Sequence, residues 1–441
     1  MATSDVSSMP IEEPYHPVRT QIAGVPIRDL VARFGTPTYV YDAARIRERI
    51  GDLKAFDVIR YAQKACSNLA ILDLVRRAGV LVDAVSAGEI HRALAAGYPP
   101  GTPRAADGSR PAPPPIVYTA DIFDRPSLEL VLEKEIHVNC GSPDMIDQLG
   151  ERAPGRDITL RINPGFGHGH SQKTNTGGEQ SKHGIWHEQL DECLRRADRY
   201  GLTVTGLHMH IGSGTDLEHL AQVCGAMQRV AEAVGRTVTT ISAGGGLPTP
   251  YRPGQTYVDL DAYYALWDAT RKNLVARFGH PISLEIEPGR YLVAESGYLI
   301  AEIRAVKRMG RNTFYLVDAG FNNLARPILY GAYHPMSICP ANGSTSRDLV
   351  EVVVGGPLCE SGDIFTQEEG GYVCRRPLPV AQVGDWLVIE RAGAYGFVMG
   401  SNYNGKPLAA EVLIRDGQPH LVRQRQTLDD LLRGETIPPP G

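Results

Sequence analysis

The sequence predicts an α/β domain built as a (β/α)8 barrel, followed by an all-β domain. Three observations carry this. From about residue 37 to 290, short β-branched runs alternate with helical stretches. After residue 290 the helical pattern nearly vanishes, and short strands separated by turn residues take over. The length of 441 residues leaves room for two domains.

The alternating region holds the candidate strands "PTYVYD", "DVIRYAQ", "VLVDAVS", "PIVYTA", "IHVNCGS", "ITLRIN", "VTGLHMHIG", "TTISAGGG" and "PISLEIEPG". Helical patterns such as "NLAILDLVRRAG", "AGEIHRALAAGY", "SLELVLEKE" and "HLAQVCGAMQRVAEAVG" lie between them, with apolar residues at three- and four-residue spacing. Repeated β-α units over this span read as a TIM-type barrel with one candidate strand belonging outside it, a doubly wound open sheet being the alternative. The later strands "YLVAESGYLIAEIRAVKRM", "TFYLVDAG", "LVEVVVGGP", "DWLVIERAGAY" and "AEVLIRDG" read as a sandwich or Greek-key β domain. The expected boundaries are an N-terminal segment 1–36 packing on the β domain, a barrel over 37–290 and a β domain over 291–441. The Pro/Gly-rich 99–115 reads as a surface loop without chemistry.

Composition excludes several classes. A net charge of −5 without a basic stripe argues against a nucleic-acid partner. No apolar run approaches the ~20 residues of a membrane span, and the N-terminus has no signal-peptide pattern. Seven scattered cysteines without a C-x-x-C pair point to reduced thiols and a cytoplasmic protein.

In such a barrel the active site lies at the C-terminal ends of the strands. The residues there are Lys64, the "SAGE" of 86–89, Asn163, His210, Gly244–Gly246 and the "EPGR" of 287–290. A lysine at the tip of a buried strand is solvated, paired or chemically used. Three consecutive glycines let backbone N–H groups approach a phosphate. The "HMH" of His208 and His210 puts both side chains on one strand face, so a metal pair or an imidazole stacked on an aromatic cofactor are both open. Glu285 and Glu287 share a face with Arg290 just beyond; a carboxylate beside a ring nitrogen keeps that nitrogen protonated, and a rim ion pair is the alternative.

"YAQKACSN", "VSAGEIHRALAAG", "HMHIGSG", "GGGL", "EPGRYLVAESG", "VDAGFNNLARPILYGAYHP", "GGPLCESGD" and "GAYGFVMGSNYNGKP" occur in this order over nearly the whole chain. The set resembles the alanine-racemase-type fold (fold type III) of pyridoxal 5'-phosphate enzymes, and within it the diaminopimelate decarboxylases, which make L-lysine from meso-diaminopimelate. The 99–115 insertion and the longer N-terminus depart from that pattern. The resemblance implies that Lys64 holds the cofactor aldehyde, His210 stacks on the ring and Glu287 pairs with its nitrogen. Gly244, Gly245, Gly246, Ser213, Gly289 and Arg290 are implied at the cofactor, the phosphate lying on the glycines, on Ser213 and on backbone after Glu287. Tyr395 is implied at the phosphate or the substrate. Arg290, Arg326 and Tyr330 are implied at the distal carboxylate and Glu360 at the distal ammonium. Cys359 is implied as proton donor; a thiol of ordinary pKa ~8.5 is neutral at pH 7 and can serve. The resemblance also implies a homodimer with two shared active sites, Cys359 lying outside the barrel.

The rivals are another decarboxylase of this fold acting on ornithine, lysine or arginine, a racemase, a non-catalytic cofactor carrier and a metal-dependent barrel hydrolase. Arg326 with Tyr330 favours a dicarboxylate substrate over a simple diamine precursor. The β domain with Cys359 and Tyr395 disfavours a carrier.

Overall fold

The computed structural model describes residues 17–101, 112–166, 177–210, 216–343 and 348–439. These fall into two compact units: one of residues 47–248 and 258–292, the other the remainder of the chain.

The first unit is a closed barrel of eight parallel strands: Val58–Ala62, Leu81–Ala84, Ile116–Ala120, His137–Cys140, Asp157–Asn163, Thr203–His208, Thr240–Ser242 and Ser283–Ile286. Closure is made by the last strand, whose Glu285 and Ile286 lie in register with Val58 and Ile59 of the first. Helices separate the strands, and most start where the sequence supplies a capping side chain. Asn68, Ser86, Asp124, Asp216 and Asp259 each accept a backbone N–H of their own first turn, satisfying donors that a helix start otherwise leaves unpaired.

The second unit is β-rich. Its central strand, Gly297–Met309, pairs with Thr38–Asp42 and Trp386–Ile389 along its first half and with Asn312–Val317 along its second. Leu349–Gly355 and Arg376–Pro379 extend one side, Ala410–Arg415 and Gln418–Arg423 the other. Ile22, Ile27 and Leu30 pack into the core of this unit with Val40, Ile300, Val388 and Val412.

Placing "PTYVYD" inside a barrel domain beginning at residue 37 needs correction. Thr38–Asp42 is the candidate strand that lies outside: it is a central strand of the β unit, antiparallel to Gly297–Met309 and parallel to Ala410–Arg415. Its first four residues are all buried, as in a barrel strand, so local pattern could not separate the two. Residues 102–111, which make up most of the Pro/Gly-rich 99–115 loop, and residues 167–176 lie outside the described residues. Among the described residues no helix is long and apolar enough to cross a membrane.

Candidate active site

The barrel unit brings four of the sequence motifs together at the C-terminal ends of its strands. Lys64 sits in the 3-10 turn Gln63–Ala65, directly after the first strand, and is exposed between buried Gln63 and Ala65. The "EPGR" segment crosses beside it, with the Ala62 N–H donating to the Pro288 carbonyl at 3.1 Å. Gly289 eases that approach, because a Cβ there would stand tightly at 3.2 Å from the Ala62 carbonyl oxygen and 3.3 Å from the Ala65 Cβ. The triple glycine closes on the same place. The Glu287 N–H donates to the Gly244 carbonyl at 2.8 Å, and the Gly245 N–H donates to His210 Nδ1 at 3.1 Å. A Cβ on Gly244 or Gly245 would lie 2.6 Å or 2.5 Å from backbone oxygens of Met209 and Glu287, so only glycine fits.

Glu287 is the electrostatic centre. His208 Nε2 lies 2.8 Å from its Oε2, and the Ser242 hydroxyl donates to its Oε1 at 2.9 Å. Burial alone would push this carboxyl up, but the His208 imidazole with its hydrogen bond, Arg60 and the Ser242 hydroxyl outweigh it and hold the group down at about 2. Each carboxylate oxygen can accept more than one hydrogen bond, so acceptor capacity remains. His208 Nδ1 is buried without a hydrogen-bond partner. His210 is half-buried; burial first, then the charges of Arg161 and Lys64, keep its pKa well below the usual histidine value, so it is a neutral, flat ring.

Two further carboxyls behave in the opposite way. Asp83, at the end of the second strand, is raised to about 6 by burial and by the charge of Glu287, against Thr119 and Lys64. Glu89 is raised to about 7 by burial, although the Val85 N–H donates to it at 2.9 Å and Lys64 opposes the shift. Arg161 is buried in the field of Asp121, Glu287 and Asp83, and desolvation lowers its pKa. Below the rim, Arg60 and Glu285 form a buried ion pair at 3.2 Å. Thus of the two glutamates on one strand face, Glu285 makes the ion pair and Glu287 remains at the rim.

Three further rim positions, His208, Asn163 and Arg290, have places of their own among the described residues. His208 serves Glu287 and not a metal pair, and no cluster of three or more His, Cys, Asp or Glu suited to a metal occurs among the described residues. Asn163 anchors the following loop: its Oδ1 accepts the N–H groups of Gly165 and Gly178, and its Nδ2 donates to the carbonyls of Gly178 and His183. Ser213 lies outside the described residues. Arg290 opens the short helix Arg290–Val293 and is half-buried.

The β unit gathers the remaining candidates around Phe321–Asn323. Asp363 organises them: its carboxylate accepts the N–H of Phe321 at 2.7 Å and of Leu358 at 2.8 Å. This ties the "CESGD" loop to the segment leading into the helix Arg326–Tyr330. Cys359 is exposed, and its N–H donates to Asn404 Oδ1 at 2.7 Å. Glu360 is exposed, with the Tyr403 hydroxyl 3.4 Å from its Oε2, and Tyr403 stacks on Phe321. The Ser401 N–H reaches the Asn322 carbonyl at 2.9 Å. Arg326 is buried, whereas Tyr330 at the other end of the same helix is exposed. Tyr395 is half-buried and has φ +56°, with Arg391 at +53° in the same turn. Left-handed conformations at non-glycine residues cost energy and cluster at functional sites. Ser242, Asp83 and Asp363 were quoted inside motifs without a role; their function depends on partners distant in sequence, so no local signal marked them.

A flat neutral imidazole, a charged buried carboxylate, a strand-tip lysine and a glycine cradle together suit pyridoxal phosphate, which needs a ring face, a nitrogen partner, an amine and phosphate-binding backbone. Residues 43–294 match the family described as pyridoxal-dependent decarboxylase, pyridoxal binding domain. The chain is 55% identical over 410 residues to the diaminopimelate decarboxylase of Escherichia coli K12, covering 92% of this chain and 96% of the relative. A crystal structure of diaminopimelate decarboxylase superposes with TM-score 0.89 at 54% identity, covering 95% of this chain and 98% of the other. The Helicobacter pylori diaminopimelate decarboxylase complexed with L-lysine matches with TM-score 0.79 at 30% identity, covering 92% and 98%. Within the pyridoxal-dependent decarboxylases, the chain therefore belongs to the diaminopimelate decarboxylase family.

Proposed function

We infer that this enzyme decarboxylates meso-2,6-diaminopimelate to L-lysine and CO2 with pyridoxal 5'-phosphate as cofactor, the last step of lysine biosynthesis. The observation that carries the reading is the likeness to the E. coli diaminopimelate decarboxylase over 92% of this chain, which spans both units. Bound pyridoxal phosphate supplies a protonated heteroaromatic ring that takes up the electron pair left when CO2 departs.

The chain's own residues do the rest. Lys64 supplies the amine that holds the cofactor aldehyde and gives way to the substrate amine. Its place in the turn whose neighbours Ala62 and Ala65 approach Pro288 and Gly289 supports this. Glu287, held ionised by His208 and Ser242, keeps a proton on the ring nitrogen. His210 covers one ring face. Gly244, Gly245 and Gly246, with Ser213, the backbone at Gly289 and Arg290, and Tyr395, hold the phosphate. Arg290, Arg326 and Tyr330 bind the distal carboxylate, and Glu360 the distal ammonium. Cys359 delivers the proton to Cα.

The enzyme acts as a homodimer in which the Cys359 loop serves the partner's site. In support, Cys359 and Glu360 are exposed on a single chain, and a proton donor to a carbanion works best where bulk water is excluded. No disulfide joins any of the seven cysteines, which agrees with a reducing cytoplasm.

The test is to supply pure enzyme and cofactor with meso-diaminopimelate, lysine, ornithine and arginine in parallel. Lysine and CO2 should form from diaminopimelate alone. Release of CO2 from any of the other three at a higher kcat/KM would overturn the substrate assignment.

A further inference from the structure

The environment of Arg326 goes beyond its assignment to the distal carboxylate. Arg326 is only 7% exposed, and its Nη1 lies 2.9 Å from His334 Nε2. Its guanidinium carbon stands 4.8 Å over the ring centre of Tyr251. Tyr251 in turn meets His334 edge-on, with centroids 5.3 Å apart and planes at 78°. His334 is fully buried, and its Nδ1 lies 3.0 Å from the Glu390 carbonyl oxygen.

These contacts fix the protonation of His334 by elimination. A guanidinium only donates, so Nε2 must accept. A carbonyl oxygen only accepts, so Nδ1 must carry the hydrogen. The imidazole is therefore neutral, in one tautomer. Its partner is itself pinned. The Glu390 N–H donates to the Pro335 carbonyl at 2.8 Å. The Glu390 carboxylate takes Arg19 at 2.7 and 3.0 Å and the Ser337 hydroxyl at 3.0 Å.

We propose that His334 is a positioning residue for substrate selection, holding the Arg326 guanidinium in the orientation that receives the distal carboxylate. The proposal rests on the reading that Arg326 binds that group. A guanidinium carries its donors in a rigid planar fork, so fixing one N–H by His334 and the plane by Tyr251 sets the direction of the others. A neutral acceptor does this without contributing a negative charge, which leaves the cation's attraction for a carboxylate undiminished. An aspartate in the same place would orient the group and cancel its charge.

The experiment measures kcat and KM for meso-diaminopimelate, and the absorbance of bound cofactor, in His334→Phe, His334→Asn, His334→Gln, Arg326→Ala and the His334→Phe/Arg326→Ala double variant. His334→Phe keeps an aromatic ring against Tyr251 but loses the acceptor. It should raise KM about tenfold, the worth of one hydrogen bond to a charged group, with kcat within about threefold of wild type and cofactor absorbance unchanged. His334→Asn, which reaches the Glu390 carbonyl but not Arg326, should show the same rise and serves if the Phe variant does not fold. His334→Gln returns an oxygen near the Nε2 position and should recover most of the loss. On the Arg326→Ala background, His334→Phe should add nothing. A wild-type KM in His334→Phe or His334→Asn, with Arg326→Ala impaired, overturns the positioning role and leaves the carboxylate assignment standing. A wild-type KM in Arg326→Ala overturns that assignment and this proposal with it. Equal, additive losses on both backgrounds would mark His334 as structural only and overturn the proposal.

Discussion

Removing the carboxylate of Glu285 should cost the barrel more than removing the whole ion pair. Arg60 is fully buried, and its Nε and Nη2 reach the Glu285 oxygens at 3.2 to 3.3 Å, while Nη1 donates to the Pro114 carbonyl at 2.8 Å. In Glu285→Ala the guanidinium keeps the Pro114 carbonyl and loses both carboxylate oxygens while it stays fully buried. Breaking a buried pair from one side costs ~3–5 kcal/mol. For a unit of 150–250 residues each kcal/mol moves Tm by ~2–4 °C, so the barrel transition should fall by roughly 6–20 °C. Replacing both members with apolar residues of similar volume, Arg60→Met with Glu285→Leu, removes the orphaned charge and should recover most of that loss, because such swaps are often neutral. The assay is differential scanning calorimetry of the holoenzyme, with the barrel transition followed by loss of cofactor absorbance. A double variant as unstable as Glu285→Ala, or a Glu285→Ala shift under about 2 °C, would refute the reasoning, since either would mean that the buried charge is solvated by some other route.

Three more outcomes follow from the site. Lys64→Ala should abolish the visible absorbance of covalently held cofactor and nearly all turnover; an unchanged spectrum would remove Lys64 from its role. Mixing Lys64→Ala with Cys359→Ala, each nearly inactive, should restore activity on subunit exchange, because some mixed dimers carry both lesions in one site and leave the other intact; inactivity despite proven exchange would count against a site built from two chains. The cofactor-free barrel should lose stability as pH rises from about 4 to about 7, because Asp83 and Glu89, raised to about 6 and about 7, hold protons that the unfolded chain has already shed. Glu287, held down at about 2, acts with the opposite sign and loses its contribution only as the solution becomes strongly acidic. Asp83→Asn should flatten the fall in Tm between pH 4 and 6, and an unaltered slope would contradict the assignment.

The barrel strands were legible because short β-branched runs alternate with helices, five of which begin at the side-chain caps Asn68, Ser86, Asp124, Asp216 and Asp259. "TYVYD" was misplaced because burial on both faces occurs equally in a barrel and in the middle of a mixed sheet; its neighbours, residues 297–300 and 410–414, are hundreds of positions away. Lys64, His210, the glycines and Glu287 could be found because they end strands of one barrel. The partners that set their chemistry could not: His208 and Ser242 reach Glu287 across 79 and 45 residues of sequence. Asp363 likewise holds Phe321 across 42 residues.

The barrel mouth sorts its acids by what faces them. Glu287 and Asp83 are both buried, and burial alone would raise both. Glu287 falls because two hydrogen-bond donors, His208 and Ser242, and the charge of Arg60 meet it. Asp83 rises because burial, the largest cause, is joined by the charge of Glu287 and is only partly opposed by Thr119, Lys64 and His208. Ionising one of a close carboxyl pair makes the second harder to ionise, so fixing Glu287 as the charged member adds to the burial that raises Asp83, while Glu89 is raised chiefly by its own burial. The acids of the mouth are thus separated by charge. In the proposed reading, the lasting negative charge of Glu287 is the one that keeps the ring nitrogen protonated. Asp83 and Glu89, raised to about 6 and about 7, both lie in the field of the Lys64 charge, which opposes their rise. Substituting His208 or Ser242 would release Glu287 from its donors, and Asp83 would then lose the part of its elevation that the Glu287 charge adds to burial.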